Sequence, residues 1–319
     1  MPPPPPCIGL ALGSGSARGW SHLGVIKALE RAGIRPDIVC GTSIGALVGA
    51  AYAAGEHERL EPWARSLTWS SVASLLDWKL GGGLMAGGKL TAFFSRHFAD
   101  PGIEHLPRTF GCVATDLASG REVWLRSGPV IGAVRASIAL PGVFTPAVHE
   151  GRLLVDGGLV NPVPVSLCRA LGADIVIAVD LNWELVTRHR PASSAVVPVE
   201  GVTALTHSGR LERLLARWFR PAGRGNGNGN GNGNRDETAA GAVPAALITP
   251  SMLGVMSASL NIMQVRITQS RLAGEPADAM VRPRLAHIGA MDFHRAAASI
   301  DEGERAAELA LPVIQGLLE

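Results

Sequence analysis

Two glycine-framed turns, each set between an apolar run and a helical pattern, decide most of what this chain can fold into. Residues 8–12 (Ile-Gly-Leu-Ala-Leu) run into Gly13-Ser14-Gly15-Ser16-Ala17-Arg18-Gly19, and Leu23, Ile26 and Leu29 then follow at helical spacing, stopped by Gly33. A second apolar run at residues 38–40 leads into Gly41-Thr42-Ser43-Ile44-Gly45. Residues 44–54 continue as a small, very apolar helix that Gly55 ends. Strand, helix, strand, helix in such quick succession implies a parallel sheet, because a helical crossover is what returns the second strand alongside the first in the same direction. The expected class is therefore α/β, with a central, mainly parallel sheet and helices packed on it.

The rest of the pattern extends this frame. Residues 110–115 and 122–125 read as strands joined by a turn at 116–120, and 130–140 as a helix stopped at Pro141-Gly142. Residues 148–149 and 153–155, joined by Glu150-Gly151-Arg152, read as a hairpin leading into Asp156-Gly157-Gly158. A helix at 164–171 and a buried strand at 175–179 follow. Residues 56–98 look mostly helical, broken by a glycine-dense loop at 81–88. Further helices are expected at 202–219, 250–273 and 293–318, with a short strand near Met280 and Val281.

Three segments are expected: a tail at 1–7, a catalytic core at 8–180, and a C-terminal helical region at 181–319 packing on that core. The last carries an alternating Gly-Asn tract at 223–234 that cannot build a core. Residues 238–265 hold no charge, yet Pro244, Pro250 and Gly254 interrupt them, so a buried helix is expected there rather than a membrane span.

Composition narrows the functional classes. With 47% hydrophobic and 18% charged residues the chain is globular and rather apolar, and a formal charge of +2 with scattered arginines gives no footprint for nucleic acid. The four cysteines, Cys7, Cys40, Cys112 and Cys168, lie far apart, as free thiols of a reducing compartment would. The proline run after Met1 lacks the basic and apolar regions of a signal peptide. The expected location is cytoplasmic, with peripheral contact to the inner membrane face left open. Neither a metal nor a cofactor is expected.

Gly41-Thr42-Ser43-Ile44-Gly45 stands where a G-x-S-x-G match carries meaning, after a strand and before a helix. There a serine occupies the apex of a sharp turn, and glycines at both flanks remove side chains that would collide. The competing reading makes Gly41 and Gly45 packing glycines and Ser43 a helix N-cap. The Gly13–Gly19 loop differs in spacing from a dinucleotide fingerprint, since Arg18 stands where its third glycine should be. Its other use is as a cluster of backbone N–H donors for an oxyanion, with Arg18 fixing the loop or contacting an anion. Asp156, at a strand end and followed by Gly157 and Gly158, is the best candidate base for Ser43. A turn after a hairpin is the plain alternative.

Together, in this order and spacing, the Gly13–Gly19 loop, Gly41-Thr42-Ser43-Ile44-Gly45 and Asp156-Gly157-Gly158 resemble the patatin-like phospholipase family. So do the run Arg135-Ala136-Ser137-Ile138-Ala139-Leu140-Pro141-Gly142-Val143-Phe144-Thr145-Pro146 and Asn161-Pro162-Val163-Pro164. Asp292-Phe293-His294-Arg295-Ala296 is similar to bacterial members of the RssA type. The resemblance implies a three-layer α/β/α fold with the nucleophile on a strand-to-helix elbow. It also implies a Ser–Asp dyad without histidine: Ser43 as nucleophile, Asp156 as proton acceptor, and amides of Gly13, Ser14 and Gly15 as the oxyanion hole. Gly41, Gly45, Gly157 and Gly158 are the motif glycines. Acyl esters of lipids are the implied substrates, through an acyl-enzyme.

Two alternatives remain at this level. A Ser–Asp–His triad could draw on His189, His207, His287 or His294, and a lipid-binding or regulatory protein could keep the fold with little chemistry. The aromatic and apolar residues of 56–98, Trp63, Trp69 and Trp78 among them, could supply a lid or lipid-facing surface.

Overall fold

A computed structural model of the chain describes residues 4–75, 100, 102–187 and 252–319. The helices expected at 202–219 and the Gly-Asn tract lie outside these residues. The chain divides into two compact units, Met1–Ala195 with Ser257–Glu319, and Val196–Met256. Of the second unit the described part is residues 252–256, which form the start of a helix; the first unit carries all the described strands and is treated below.

Eight strands form one sheet: β1 Ile8–Leu12, β2 Ile38–Thr42, β3 Thr109–Asp116, β4 Glu122–Leu125, β5 Ala147–His149, β6 Arg152–Asp156, β7 Ile175–Val179 and β8 Ala279–Val281. The order is β5-β6-β3-β2-β1-β7-β8, with β4 paired to β3 off this path. Pairings from β3 through β8 across β2, β1 and β7 are parallel, and those of β3 with β4 and β6, and of β5 with β6, are antiparallel. The expected mainly parallel sheet is therefore present. β8 adds to its edge from well beyond residue 180.

The described helices that build the fold are α1 Ser21–Arg31, α2 Ile44–Ala53, α3 His57–Arg65, α4 Trp69–Leu75, α5 Val130–Ser137, α6 Val165–Ala170, α7 Met252–Gly274 and α8 Ala296–Leu318, with one further helical turn at Glu184–Thr187. Alternate residues of the parallel strands feed two separate cores, which is how a sheet covered on both faces must be built. Leu10, Leu12, Val39, Ile177 and Val179 join residues of α1, α2 and α8 on one face. Ala11, Ile38, Cys40, Val176 and Ala178 join Val165, Leu167 and Cys168 of α6 on the other. This makes the three layers that the motifs implied.

One expectation needs correction. The helix from Met252 was expected to be buried, yet Ile262 is 54% exposed and Met263 46%, while Gln264 and Thr268 face inward. On that side Gln264 bonds Ser14 and Asn182, and Arg271 donates to the Val160 carbonyl, so α7 turns part of its polar surface to the loops. Among the described residues no helix is long and apolar enough to cross a membrane.

α1 and α8 cross at van der Waals contact of their backbones. A side chain at Gly24 would collide with the Ile300 carbonyl, and one at Gly303 with the Ser21 carbonyl. In an isolated helix, glycine to alanine gains close to 1 kcal/mol; here overpacking against rigid backbone reverses the sign. Gly303→Ala is expected to lose about 1–3 kcal/mol of stability, measured as a lower midpoint in urea unfolding.

Candidate active site

Strand register brings the two motif side chains together. Thr42 of β2 pairs with Val113 of β3, and Ala114 of β3 pairs with Asp156 of β6. Ser43 and Asp156 therefore emerge at one level of the sheet with β3 between them, about 10 Å apart at the backbone for two strand spacings. Their side chains close that gap over β3, and Ser43 Oγ donates to Asp156 Oδ2 at 2.5 Å.

Ser43 follows the last residue of β2 and precedes α2, at φ 58° and ψ −123°. This is the left-handed half of backbone space, which a residue with a Cβ enters at a cost of about 1–3 kcal/mol. The flanking glycines are there for room. A Cβ at Gly41 would strike the Gly45 carbonyl and Ala46, and one at Gly45 would strike the Leu12 carbonyl at the end of β1. The N-cap reading fails, because the Ser43 hydroxyl caps no amide of α2 and is committed to Asp156.

Asp156 is fully enclosed. Its other oxygen, Oδ1, accepts the Gly158 N–H at 2.7 Å. Gly157 packs so closely on the Val113 carbonyl that no side chain fits. Burial raises the Asp156 carboxyl from its ordinary range to about 6, against the opposing donations of Ser43 and Gly158. The site thus holds a carboxylate far more basic than a surface aspartate.

Among the described residues no histidine bonds to Ser43 or Asp156. His22, buried on α1, places Nε2 2.8 Å from the Gly13 carbonyl. Desolvation lowers its pKa to about 4, so the neutral ring donates to that carbonyl. His294 stacks on Trp69, and the His287 carbonyl accepts from Arg295. His189 and His207 lie outside the described residues.

The glycine loop departs from expectation at two of its three amides. The Gly13 N–H donates to the Val179 carbonyl at 3.1 Å, prolonging the β1–β7 ladder by one rung, and the Ser14 N–H donates to the Pro162 carbonyl at 2.8 Å. Neither is available to an oxyanion. Among the described residues the N–H groups of Gly15 and of Ser16 donate to no carbonyl or side chain. Ser16, at φ 51°, lines the same cavity as Ser43. The sequence reading missed Ser16; its signal was the position one step past the second loop glycine.

Arg18 is 2% exposed. Its Nε donates to the Gly15 carbonyl at 3.2 Å and its Nη2 to Asn261 Oδ1 at 3.3 Å. Burial lowers its pKa to about 10, partly offset by Asp180, so it stays charged at neutral pH. Of its two expected roles the loop contact is the one the geometry provides; no face is open to a headgroup. Gln264 Oε1 accepts from the Ser14 hydroxyl and from Asn182, tying α7 to the loop.

Ser43 opens into an apolar cavity. Trp20, Leu47, Trp63, Leu67, Val72 and Phe293 are among its walls, as are Ile138, Leu140, Val143 and Phe144, and among the described lining residues Ser16 and Ser43 carry the hydroxyls. Trp63 and Val72 come from the region expected to hold a lid or lipid-facing surface. Trp69 is half exposed, and Trp78 lies outside the described residues.

The patatin-like phospholipase family model matches residues 10–169. An uncharacterised NTE family protein of Mycobacterium tuberculosis is 34% identical over 334 residues, covering 97% of this chain and 92% of that protein. A lysophospholipase of Emericella nidulans is 34% identical over 223 residues, and patatin-like phospholipase domain-containing protein 6 of Mus musculus is 38% identical over 183. These matches take in 60% and 55% of this chain, but only 14% and 13% of the two relatives. On the family match and the near full-length relative, this chain belongs to the patatin-like phospholipase family.

Proposed function

We propose that the chain hydrolyses acyl esters of lipids through a Ser43–Asp156 dyad and an acyl-enzyme. The observation that carries this reading is a serine in a left-handed turn, hydrogen-bonded to a buried, basic aspartate, at the wall of an apolar cavity. Family membership and a lysophospholipase among the relatives support lipid as the substrate class.

The acyl chain lies against the apolar walls, with its ester carbonyl beside Ser43. Ser43 Oγ attacks the carbonyl carbon while its proton passes to Asp156 Oδ2. Charge builds on the former carbonyl oxygen, and we assign the N–H groups of Gly15 and Ser16, which have no acceptor among the described residues, as its donors. The tetrahedral adduct collapses, the alcohol leaves with the proton from Asp156, and the acyl group remains on Ser43. Water then attacks that ester with Asp156 again taking the proton. The fatty acid departs and the serine hydroxyl is restored.

The base must be ionised to act, and its pKa is about 6. Accordingly kcat/KM for a short-chain ester is expected to rise through about pH 6 and level off above it. Ser43→Ala and Asp156→Asn are each expected to lower turnover by at least 10³-fold, in the range that removal of members of other serine catalytic sets produces. Purified Ser43→Ala that keeps wild-type hydrolysis would end the proposal.

Asp156 also makes a stability prediction. Its folded pKa is raised above the unfolded value of 3.8, so the stability linked to it is full below about pH 4 and is lost as pH rises through about 6. Above that, the folded protein holds a desolvated charge. Asp156→Asn, inactive, should therefore be more stable than wild type at pH 8, by on the order of 1–3 kcal/mol, with the difference vanishing near pH 4. Paired urea titrations at the two pH values measure it.

A further inference from the structure

α5 ends between the two members of the dyad, and its last turn touches both. Ser137, the final residue of α5, is completely buried. Its hydroxyl donates to the Val113 carbonyl at 2.7 Å and accepts the Ser43 N–H at 2.8 Å. A serine near a helix end commonly bonds back to its own helix; here both bonds go instead to the sheet, 24 and 94 residues away in sequence. Two residues on, the Ala139 carbonyl accepts the Asp156 N–H at 3.0 Å. Thr115 adds a second hold on the acid, its hydroxyl donating to the Asp156 carbonyl at 2.8 Å.

We propose that Ser137 is a positioning residue for the nucleophile, and that with the Ala139 carbonyl it fixes the reach between Ser43 and Asp156. The proposal rests on the dyad reading above. Ser43 and Asp156 stand on strands that do not touch each other, so the sheet alone sets their separation only to within the play of β3. The 137–139 turn bridges that strand. It holds Ser43 by its N–H, at the residue whose backbone is strained, and Asp156 by its own N–H. Val113 is the anchor: its carbonyl holds Ser137, and Gly157 packs on the same atom.

Removing the Ser137 hydroxyl leaves the Ser43 N–H without its acceptor inside the protein, and the strained turn relaxes away from Asp156. A misplacement of 1 Å at a reacting group costs on the order of 100-fold in rate. Asp156 would also lose the Ser43 donation that holds its pKa down.

The test compares wild type, Ser137→Ala, Ser137→Cys and Ser43→Ala on one short-chain ester, with sites counted by a fluorophosphonate probe. Ser137→Ala is expected to lose on the order of 10- to 100-fold in kcat per labelled site with KM unchanged. The acidic limb of its kcat/KM profile should move to higher pH. Ser137→Cys, which keeps a weaker donor and acceptor, should fall between alanine and wild type. A Ser137→Ala protein with wild-type kcat per site and an unmoved limb overturns the proposal, as does a loss explained wholly by fewer labelled sites. Should Ser137→Ala fail to fold, Ser137→Cys decides by the same two readouts, and wild-type values in it overturn the proposal. Turnover persisting in Ser43→Ala would instead remove the dyad reading, which keeps the two failures apart.

Discussion

Ser43 sits in a backbone conformation that an L-residue adopts only when its surroundings leave no other, and the surroundings here are the rest of the sheet's upper edge. The strain at φ 58° is held because β2 is locked on both sides, by β1 and by β3, and because α2 must start at once to cover the sheet. Gly45 rests on the last carbonyl of β1, so the nucleophile turn and the glycine loop that leaves β1 are parts of one packed object. Neither can move without the other. The proposed chemistry, in which one hydroxyl meets both a base and a developing anion, needs this shared frame.

On the proposed mechanism, the same packing supplies the chemistry that a histidine supplies elsewhere. An imidazole is useful as a base because its pKa, near 6.5, lies close to working pH. Asp156 reaches about 6 by desolvation alone, with its oxygens restricted to one hydroxyl and one amide. In the proposed dyad a shorter side chain on a buried strand end takes the place of a longer one on a loop. Gly157 lets the Val113 backbone come close, and Gly158 leaves room for the Gln264 side chain. For the proposed reaction the apolar cavity on the Ser43 side would serve two ends, excluding water from Asp156 and receiving an acyl chain.

Much of this was legible in the sequence because it is local. β1, β2 and β7 declare themselves as short apolar runs, and the turns after β1 and β2 as glycine spacings, so Ser43 and Asp156 could be named from residue type and order. What the sequence withheld depends on contacts across the fold. That the Gly13 amide belongs to the β1–β7 ladder and the Ser14 amide to Pro162 requires knowing that β7, reached some 160 residues later, lies beside β1. The polar inward face of α7 was hidden for the same reason: Asn261 and Gln264 read as interruptions of an apolar helix until Arg18 and Ser14 are placed opposite them. Ser137 stood inside a recognised run, but its two partners are Ser43, just past β2, and Val113 on β3.

The crossing of α1 and α8 has a bearing on when the site can exist at all. The turn that follows the glycine loop is held from residues near 300: the Ala17 N–H donates to the Ala290 carbonyl, and the Ser299 hydroxyl donates to the Arg18 carbonyl. Residues 8–45 leave the ribosome well before these supports. Until the supports arrive, the nascent chain carries the serine motif without the elements that hold the glycine loop in shape, and the proposed site cannot assemble before the segment at 296–318 has been made.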